Sequence, residues 1–453
     1  MVDTKEKEKK KMIYKLLVSL VTPIAFQYLM SSAVSAADAV MLGFLDQNSL
    51  SASSLATQAA FVYSLFYGAF ISGTTVMASQ YYGKKDMKSV EQILAIAMRY
   101  ALLVGLLFTC ATLFIPDAIM RIFTSDQVLI DAGAVYLRTV SLSFVLTGFS
   151  QVYFCIMKVC GRAGLSSLIG SLSVVINIFL NAVFIFGLFG LPAMGIAGAA
   201  LATVFARVFE VVVVLIVLFR GKCVPLRLGY VFGGASKVLH KDYWHYTLPL
   251  LFNQLGWGGG ITMYSVIMGH LGTDATAANA IANIVRNIIA SLCWGIAAGV
   301  GIIIGQMLGR GELDDAKKAG GSFVRLSIAI GVFSGLVILA LIPLVLPLVS
   351  LSAQAKIYLK AMLFMAAYYI IGNSLNSTII AGIFPAGGDT KFGMVCDLVT
   401  LWVVVVPAAL LAAFVFQWPV LVVAFILTLD EFVKIPVVYI HYKKYKWLNN
   451  ITR

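Results

Sequence analysis

An all-helical membrane protein is the fold class this chain predicts, and three observations predict it. Of its 453 residues, 60% are hydrophobic and only 12% charged, with a mean hydropathy of +0.95; an ordinary soluble domain is about 25% charged. Stretches 16–37, 47–83, 139–157 and 361–388 hold no Lys, Arg, Asp or Glu. They are far longer than the roughly 10 residues of a membrane strand and match or exceed the roughly 20 of a spanning helix. Third, the charges that remain are distributed with one sidedness. Lipid offers backbone N–H and C=O groups no partner, so each long apolar stretch must satisfy them internally as helix.

The stretches divide into about twelve spans of membrane length: 14–42, 53–81, 92–114, 130–157, 164–187 and 195–218, then 245–269, 276–307, 319–342, 354–382, 393–415 and 419–440. Tails and even-numbered loops carry most of the 33 Lys and Arg residues, including Lys5, Lys7, Lys9 to Lys11, Lys84, Lys85 and Lys443 to Lys446. Odd-numbered loops and their edges carry only Arg121, Arg138, Lys356 and Lys360. The positive-inside rule then places both termini in the cytoplasm. The net charge of +13 is thus a topology signal, and no soluble domain exists to bind nucleic acid. The basic start followed by an apolar run is read as span 1, since the run greatly exceeds a signal-peptide core.

Sliding the chain over itself brings Pro23 onto Pro249, Leu29 onto Leu255, Val40 onto Val266, Gly43 onto Gly269, Gly73 onto Gly299, Gln80 onto Gln306 and Gly83 onto Gly309. With one residue of slippage Gly161 meets Gly388 and Arg207 meets Lys434. The halves are two six-helix bundles, and an even number of spans per half makes the repeat parallel, with a pseudo-two-fold axis along the membrane normal. The expected organisation is a basic tail 1–13, a bundle 14–219, a cytoplasmic linker 220–243, a bundle 244–440 and a basic tail 441–453. Two facing bundles enclose a cleft that can open to either side.

Candidate chemistry is sparse. Asp38 follows a long uncharged run, with no nearby cation in sequence. A carboxylate away from water favours its neutral form, and an intramembrane acid is a functional candidate by default. Asn177 and Asn181, one helical turn apart in span 5, and Thr203 in span 6 offer oxygens to a hard cation or a protonated carboxyl, although interhelical bonding would also explain them. Arg207 with Glu210 and Asp430 with Lys434 have helix-neighbour spacings and are expected to pair. Glu431 and Asp397 have no local partner. Arg286 can meet an anionic group or snorkel towards the surface. Gly258, Gly259 and Gly260 mark either a bend or a close crossing in span 7. Recurrent small residues, such as Gly295 with Gly299, predict tight helix packing. No GxxxxGK[ST] loop, HExxH helix or GxSxG elbow occurs, and the six cysteines form no CxxC pair. An enzyme is therefore not expected, no cofactor is required, and an ion gradient must drive any work.

Pro23, the run Asp38-Ala-Val-Met-Leu-Gly43, Gln80 to Gly83, Tyr136-Leu-Arg138, Asn177 to Asn181 and Gly195-Ile-Ala-Gly-Ala-Ala-Leu-Ala-Thr203 together resemble the multidrug and toxic compound extrusion (MATE) transporters. That resemblance covers about residues 14–440 and implies a plasma-membrane antiporter, expected to act as a monomer. It would export amphipathic, often cationic, drugs or metabolites against H⁺ or Na⁺. It would assign proton or cation binding to Asp38 within a network of Tyr136, Asn177, Asn181 and Thr203. Na⁺ would be held at Asp38, Asn177, Asn181 and Thr203, and Pro23 would be a hinge. Some relatives carry an acid where this chain has Asn181, and another branch has acids in spans 7 and 10 that are missing here, which directs coupling to the first bundle. Gln27, Met30, Phe61, Tyr67, Asn253 and Arg286 are the candidate cleft residues. A flippase for a lipid-linked sugar or lipid is the alternative, and it would require several cleft cations.

Overall fold

The computed structural model describes the backbone of residues 2–221, 223–349 and 351–452, and side chains from residue 16 onward except 33, 35, 36, 39, 40, 222, 350 and 453. The side chains of the lysines in the 1–13 tail and of Val40 thus lie outside those described. The first half folds as α1 (Val2–Leu45), α2 (Gln47–Gly83), α3 (Met87–Phe114), α4 (Pro116–Phe123), α5 (Gln127–Val140), α6 (Leu142–Val159), α7 (Ala163–Phe186) and α8 (Gly195–Phe219). The second half holds α9 (Lys237–His270), α10 (Thr273–Gly309), α11 (Leu313–Leu348), α12 (Ala353–Asn376), α13 (Phe384–Ala386), α14 (Thr390–Leu398), α15 (Val406–Leu410), α16 (Val420–Leu427) and α17 (Asp430–Lys443). Nine helical stretches among the described residues are long and apolar enough to cross a membrane, and Leu16–Ser32 is a shorter apolar one.

Expected spans and observed helices correspond closely. Span 4 is built from α5 and α6, which meet at Ser141. Spans 10 and 11 run as Ala353–Ala386 and Thr390–Val415, with π-helical turns at Ser377–Ile383, Val399–Val405 and Leu411–Val415. Pro385 and Pro407 lie beside two of these turns, where a missing N–H prevents regular i→i−4 bonding. The short helix α4 was not anticipated; Pro116 at its first position starts it. Outward faces are apolar, as lipid requires: Leu103, Leu107 and Phe114 on α3 and Phe333, Leu336 and Leu344 on α11 are all exposed.

The internal repeat is visible in the backbone itself. α2 and α10 each contain 37 residues and end at the paired glycines Gly83 and Gly309. Both are followed by a turn with a left-handed residue, Lys85 (φ 66°) in one and Gly311 (φ 77°) in the other. The paired Gly161 and Gly388 repeat this at φ 75° and 82°. Pro23 and Pro249 each lie inside a continuous helix.

The chain forms two compact units, Leu29–Thr247 (the N-unit) and Met1–Tyr28 with Leu248–Arg453 (the C-unit). The dividing points fall within α1 and α9, so the first half of α1 is grouped with the C-unit. There Ala25 and Val21 meet Gly295 and Gly299 of α10, where an added Cβ would come within 2.7 Å of either side chain. Small residues thus serve close helix approach. The triple glycine of α9 is a close crossing, not a break: α9 is continuous, and a Cβ on Gly259 would lie 3.1 Å from Trp402. Trp402 Nε1 also donates to Gly256 O at 3.0 Å.

The N-unit core gathers Tyr63, Met120, Leu137 and Phe144, and the C-unit core gathers Ile338, Leu359, Ile370 and Val423. Within 220–243 the chain folds onto α3 instead of hanging free. The Arg99 guanidinium donates to the Val231 and Tyr230 carbonyls, Ser236 N donates to Gln92 Oε1 at 2.7 Å, and α9 starts at Lys237. The end of the chain is also packed: Trp447 is fully buried, stacked on Tyr442 at 5.6 Å.

Candidate functional site

In the N-unit, α1, α7 and α8 bring together the predicted polar residues. The helical turn between Asn177 and Asn181 puts both amides on one face of α7, and Asn181 Nδ2 donates to Asp38 Oδ1 and to Asn177 Oδ1, the latter at 3.2 Å. Asn177 Nδ2 in turn faces Thr203 Oγ1 of α8 at 3.4 Å. Asn181 and Asn177 are buried, at 0% and 4% exposure. Tyr136 of α5 is buried and lies close enough to Asp38 to feel its charge. All five candidates for ion binding therefore form one cluster. Asp38 makes no ion pair among the described residues; Arg207 acts on it only at longer range.

Arg207 is held elsewhere. Its Nη1 lies 2.6 Å from Glu210 Oε1, as the helix spacing predicted, and Ser150 Oγ donates to Glu210 Oε2 at 2.8 Å. An isolated buried carboxylate would be costly; Glu210 is fully provided for, and Asp38 is not. Asn181 Oδ1 is buried and finds no partner among the described residues. This free oxygen, the Asp38 carboxylate and the Thr203 hydroxyl make a donor set that suits a proton or a small hard cation.

The C-unit holds a second buried charge cluster that the sequence reading paired differently. Lys434 and Asp430 were expected to bond as helix neighbours; instead Lys434 Nζ lies 3.0 Å from Asp397 Oδ1 and 3.3 Å from Glu431 Oε2. One turn of α17 permits either the i+3 or the i+4 partner, and the orientation of α17 against α14 selects Glu431 and Asp397. Asn253 Nδ2 donates to Asp397 Oδ2 at 3.1 Å, while Asn373 and Asn376 donate to Glu431 at 3.1 and 2.7 Å. Asp430 is 2% exposed, and its Oδ1 has no partner among the described residues. An apolar span interrupted by Asp430, Glu431 and Lys434 was the available signal, but apart from the Glu431–Lys434 pair their partners are remote in sequence.

The candidate cleft residues fall into different surroundings. Tyr67 packs on Tyr63 at 5.3 Å, within the N-unit's apolar cluster. Phe61 and Met30 are half-buried, and Gln27 is buried. Asn253 belongs to the Asp397 cluster. Arg286 lines a cavity of the C-unit.

A protein-family model described as MatE matches residues 23–183 and 249–411. The chain belongs to the MatE family. The two matched stretches begin at the paired Pro23 and Pro249, so the family's unit is the repeat seen in the helices. This MatE protein is 24% identical over 403 residues to the uncharacterized transporter YisQ of Bacillus subtilis, covering 87% of this chain and 86% of that one. It is 24% identical to the multidrug resistance protein PmpM of Pseudomonas aeruginosa, at 86% and 82% coverage. Among solved structures, a MATE in the straight conformation superposes with a TM-score of 0.87 at 18% identity, covering 96% of both chains. A MATE in the bent conformation gives 0.85 at 18% identity, covering 96% and 95%. A MOP-superfamily transporter from Pyrococcus furiosus, described as having a binding pocket of reverse polarity, also gives 0.85 at 18% identity with 96% coverage of both. These likenesses carry the fold. The chain is a multi-pass membrane transporter and not an enzyme.

Proposed function

We propose that this MatE transporter exports amphipathic small molecules, cationic ones among them, in exchange for H⁺ or Na⁺, with Asp38 as the coupling acid. The observation that carries this reading is the state of Asp38: a carboxylate on a membrane helix, bonded by Asn181 and lacking an ion pair among the described residues. A permanently paired acid such as Glu210 has no reason to exchange its proton; one held only by a neutral amide can load and unload.

Loading must favour one cleft state. An ion that binds both states equally shifts nothing, and moving an equilibrium from 1:99 to 99:1 takes about a 10⁴-fold difference in affinity. Binding H⁺ or Na⁺ at Asp38 alters its bond to Asn181 and hence the seat of α1 against α7. Pro23 leaves the carbonyl of the preceding turn without its helix donor and gives α1 a place to bend. That solved relatives occur as bent and straight forms supports such a step here. Tyr136, Asn177 and Thr203 keep the site polar when it is empty, and the first bundle, 14–219, carries coupling. Gln27, Met30, Phe61, Tyr67 and Asn253 are assigned to the cleft wall. The basic loops favour cytoplasmic termini in a cell membrane, and the transporter acts as a monomer with no nucleic-acid partner.

Uptake of a fluorescent cationic dye into inverted vesicles tests the proposal. Wild type should accumulate dye under an imposed pH or Na⁺ gradient, and Asp38→Asn should not. Equal accumulation by Asp38→Asn under both gradients overturns the mechanism.

A further inference from the structure

We infer that the C-unit cavity around Arg286 is a binding subsite for the carboxylate of an amphipathic organic acid, so that the substrates of this transporter include acids and zwitterions as well as cations. The cavity is formed by α9, α10, α12 and α16, with Tyr264, Asn283, Arg286, Met362, Met365 and Leu427 among its walls. Arg286 is the decisive group. It makes no hydrogen bond or ion pair among the described residues, and its guanidinium sits 5.0 Å over the ring of Tyr369.

Snorkelling does not account for that position. Tyr369 is 6% exposed and its hydroxyl reaches Glu431 Oε1 at 3.5 Å, so the guanidinium points into the C-unit. A guanidinium carries five donors and no acceptor, in a fork that matches a carboxylate. The aromatic face beneath it accepts cationic charge but leaves the N–H edges free. Tyr264, 8% exposed and lining the same cavity, has a hydroxyl with no partner among the described residues. Asn283 adds amide donors. Unspent donors thus converge on one space. Ser265, Asn279 and Thr428 also line the cavity, and the remaining walls are apolar, with three methionines, Met268, Met362 and Met365, whose flexible thioethers conform to varied hydrocarbon shapes. With about 50 Å³ of room, the cavity takes the acidic head of a ligand, and the adaptable apolar side chains around it suit the hydrophobic body to which that head is joined.

Asp430 opposes the ligand. It stands within electrostatic reach of Arg286, so a bound carboxylate competes with it for the guanidinium.

The inference deepens the antiport reading and rests on it for the cavity's place in transport, but its test is binding alone. Failure of the Asp38→Asn vesicle experiment leaves the binding result standing, and the reverse also holds. Purified protein in neutral detergent is titrated with dansylglycine and with a trimethylammonium dansyl analogue of similar size, following dansyl fluorescence. Arg286→Gln should weaken dansylglycine binding about tenfold or more, the usual scale for a charge-assisted contact, and leave the cationic probe bound at least as tightly. Arg286→Lys should retain part of the affinity, since charge remains but the fork is lost. Asp430→Asn should tighten dansylglycine. Met365→Trp, which fills the cavity without touching its charge, should abolish dansylglycine binding. Gel filtration and the thermal midpoint establish that each variant is folded. If Arg286→Gln misfolds, Met365→Trp and Asp430→Asn decide. Dansylglycine affinity unchanged in Arg286→Gln or in Met365→Trp overturns the inference, as does equal loss of both probes in a folded Arg286→Gln protein. Displacement of dansylglycine by phosphatidylglycerol and not by phosphatidylcholine assigns the subsite to a lipid headgroup and also overturns it.

Discussion

The ammonium of Lys434 lies 3.0 Å from Asp397 Oδ1 at the centre of the C-unit, with both side chains almost wholly removed from solvent. This contact joins α17 to α14, and Asn253 on α9 bonds the other oxygen of Asp397. Three helices distant in sequence are thereby tied through one carboxylate.

Removing Lys434 strands charge rather than merely deleting a bond. Lys434→Met leaves Asp397 and Glu431 without their cation, and breaking a buried pair from one side costs about 3–5 kcal/mol. The expected result is a large fall in the thermal midpoint of the purified protein. Lys434→Met with Asp397→Asn should lose less than Lys434→Met alone. A single variant as stable as wild type would show that the cluster does not hold the C-unit together.

The α1–α2 turn provides a pH-dependent test at the membrane edge. Asp46 caps α2, its Oδ1 accepting from Ser49 N at 2.7 Å and its Oδ2 from Ser49 Oγ at 2.6 Å. These bonds hold its carboxyl below the ordinary 3.8. A group whose folded value is depressed adds stability that is present above the unfolded value and lost as pH falls through the folded one. Asp46→Ala should therefore lower stability by about 0.5–2 kcal/mol at neutral pH, while wild type and variant converge as pH falls through the depressed folded value. Asp46→Asn keeps a capping oxygen and should lose little and show no such convergence. Thermal melts across pH measure the difference.

If the proposed ion site is real, Asn181 should set the ion it prefers. It donates to Asp38 and presents a free buried oxygen. Asn181→Ala removes both and should abolish gradient-driven dye uptake. Asn181→Asp sets a second carboxylate against Asp38, and two acids sharing a site cannot both be charged unless a cation sits between them. The expected outcome is transport that becomes more dependent on Na⁺, read from dye uptake at fixed pH over a range of Na⁺ concentrations. An unchanged Na⁺ dependence would remove Asn181 from the ion site.

Much of this architecture was legible because the repeat is written into residues with unusual backbone roles. Pro23 and Pro249 open the two family matches, and Gly83 and Gly309 end helices of identical length. The Asp38 cluster was legible for a related reason: an acid after a long apolar run is conspicuous, and Asn177 and Asn181 share a helix face whatever the tertiary structure. The partners of Lys434 were not legible. Helix spacing allows Asp430 and Glu431 equally, and the choice depends on how α17 is turned towards α14, which no local pattern encodes. Burial of Trp447 was hidden likewise, since the basic residues around it read as a tail while the indole packs beside Gly320 and its backbone lies against Gly387.

Pro23 lies inside α1, on the C-unit side of the point where the helix passes to the N-unit, while Asp38 lies beyond it. At Pro23 the helix lacks one backbone bond, because the carbonyl one turn earlier has no N–H to accept from, and the proposed hinge rests on that gap. Pro23→Ala restores that bond and improves helix propensity by about 3 kcal/mol, which should stiffen α1. The predicted phenotype is separation of function: the variant should melt at an equal or higher temperature and still bind the cationic dye, yet accumulate it in vesicles several-fold more slowly than wild type. The measurement is initial dye uptake under a pH gradient alongside equilibrium dye binding. Uptake at the wild-type rate would mean that α1 moves as a rigid rod and that the change of cleft state is accommodated elsewhere.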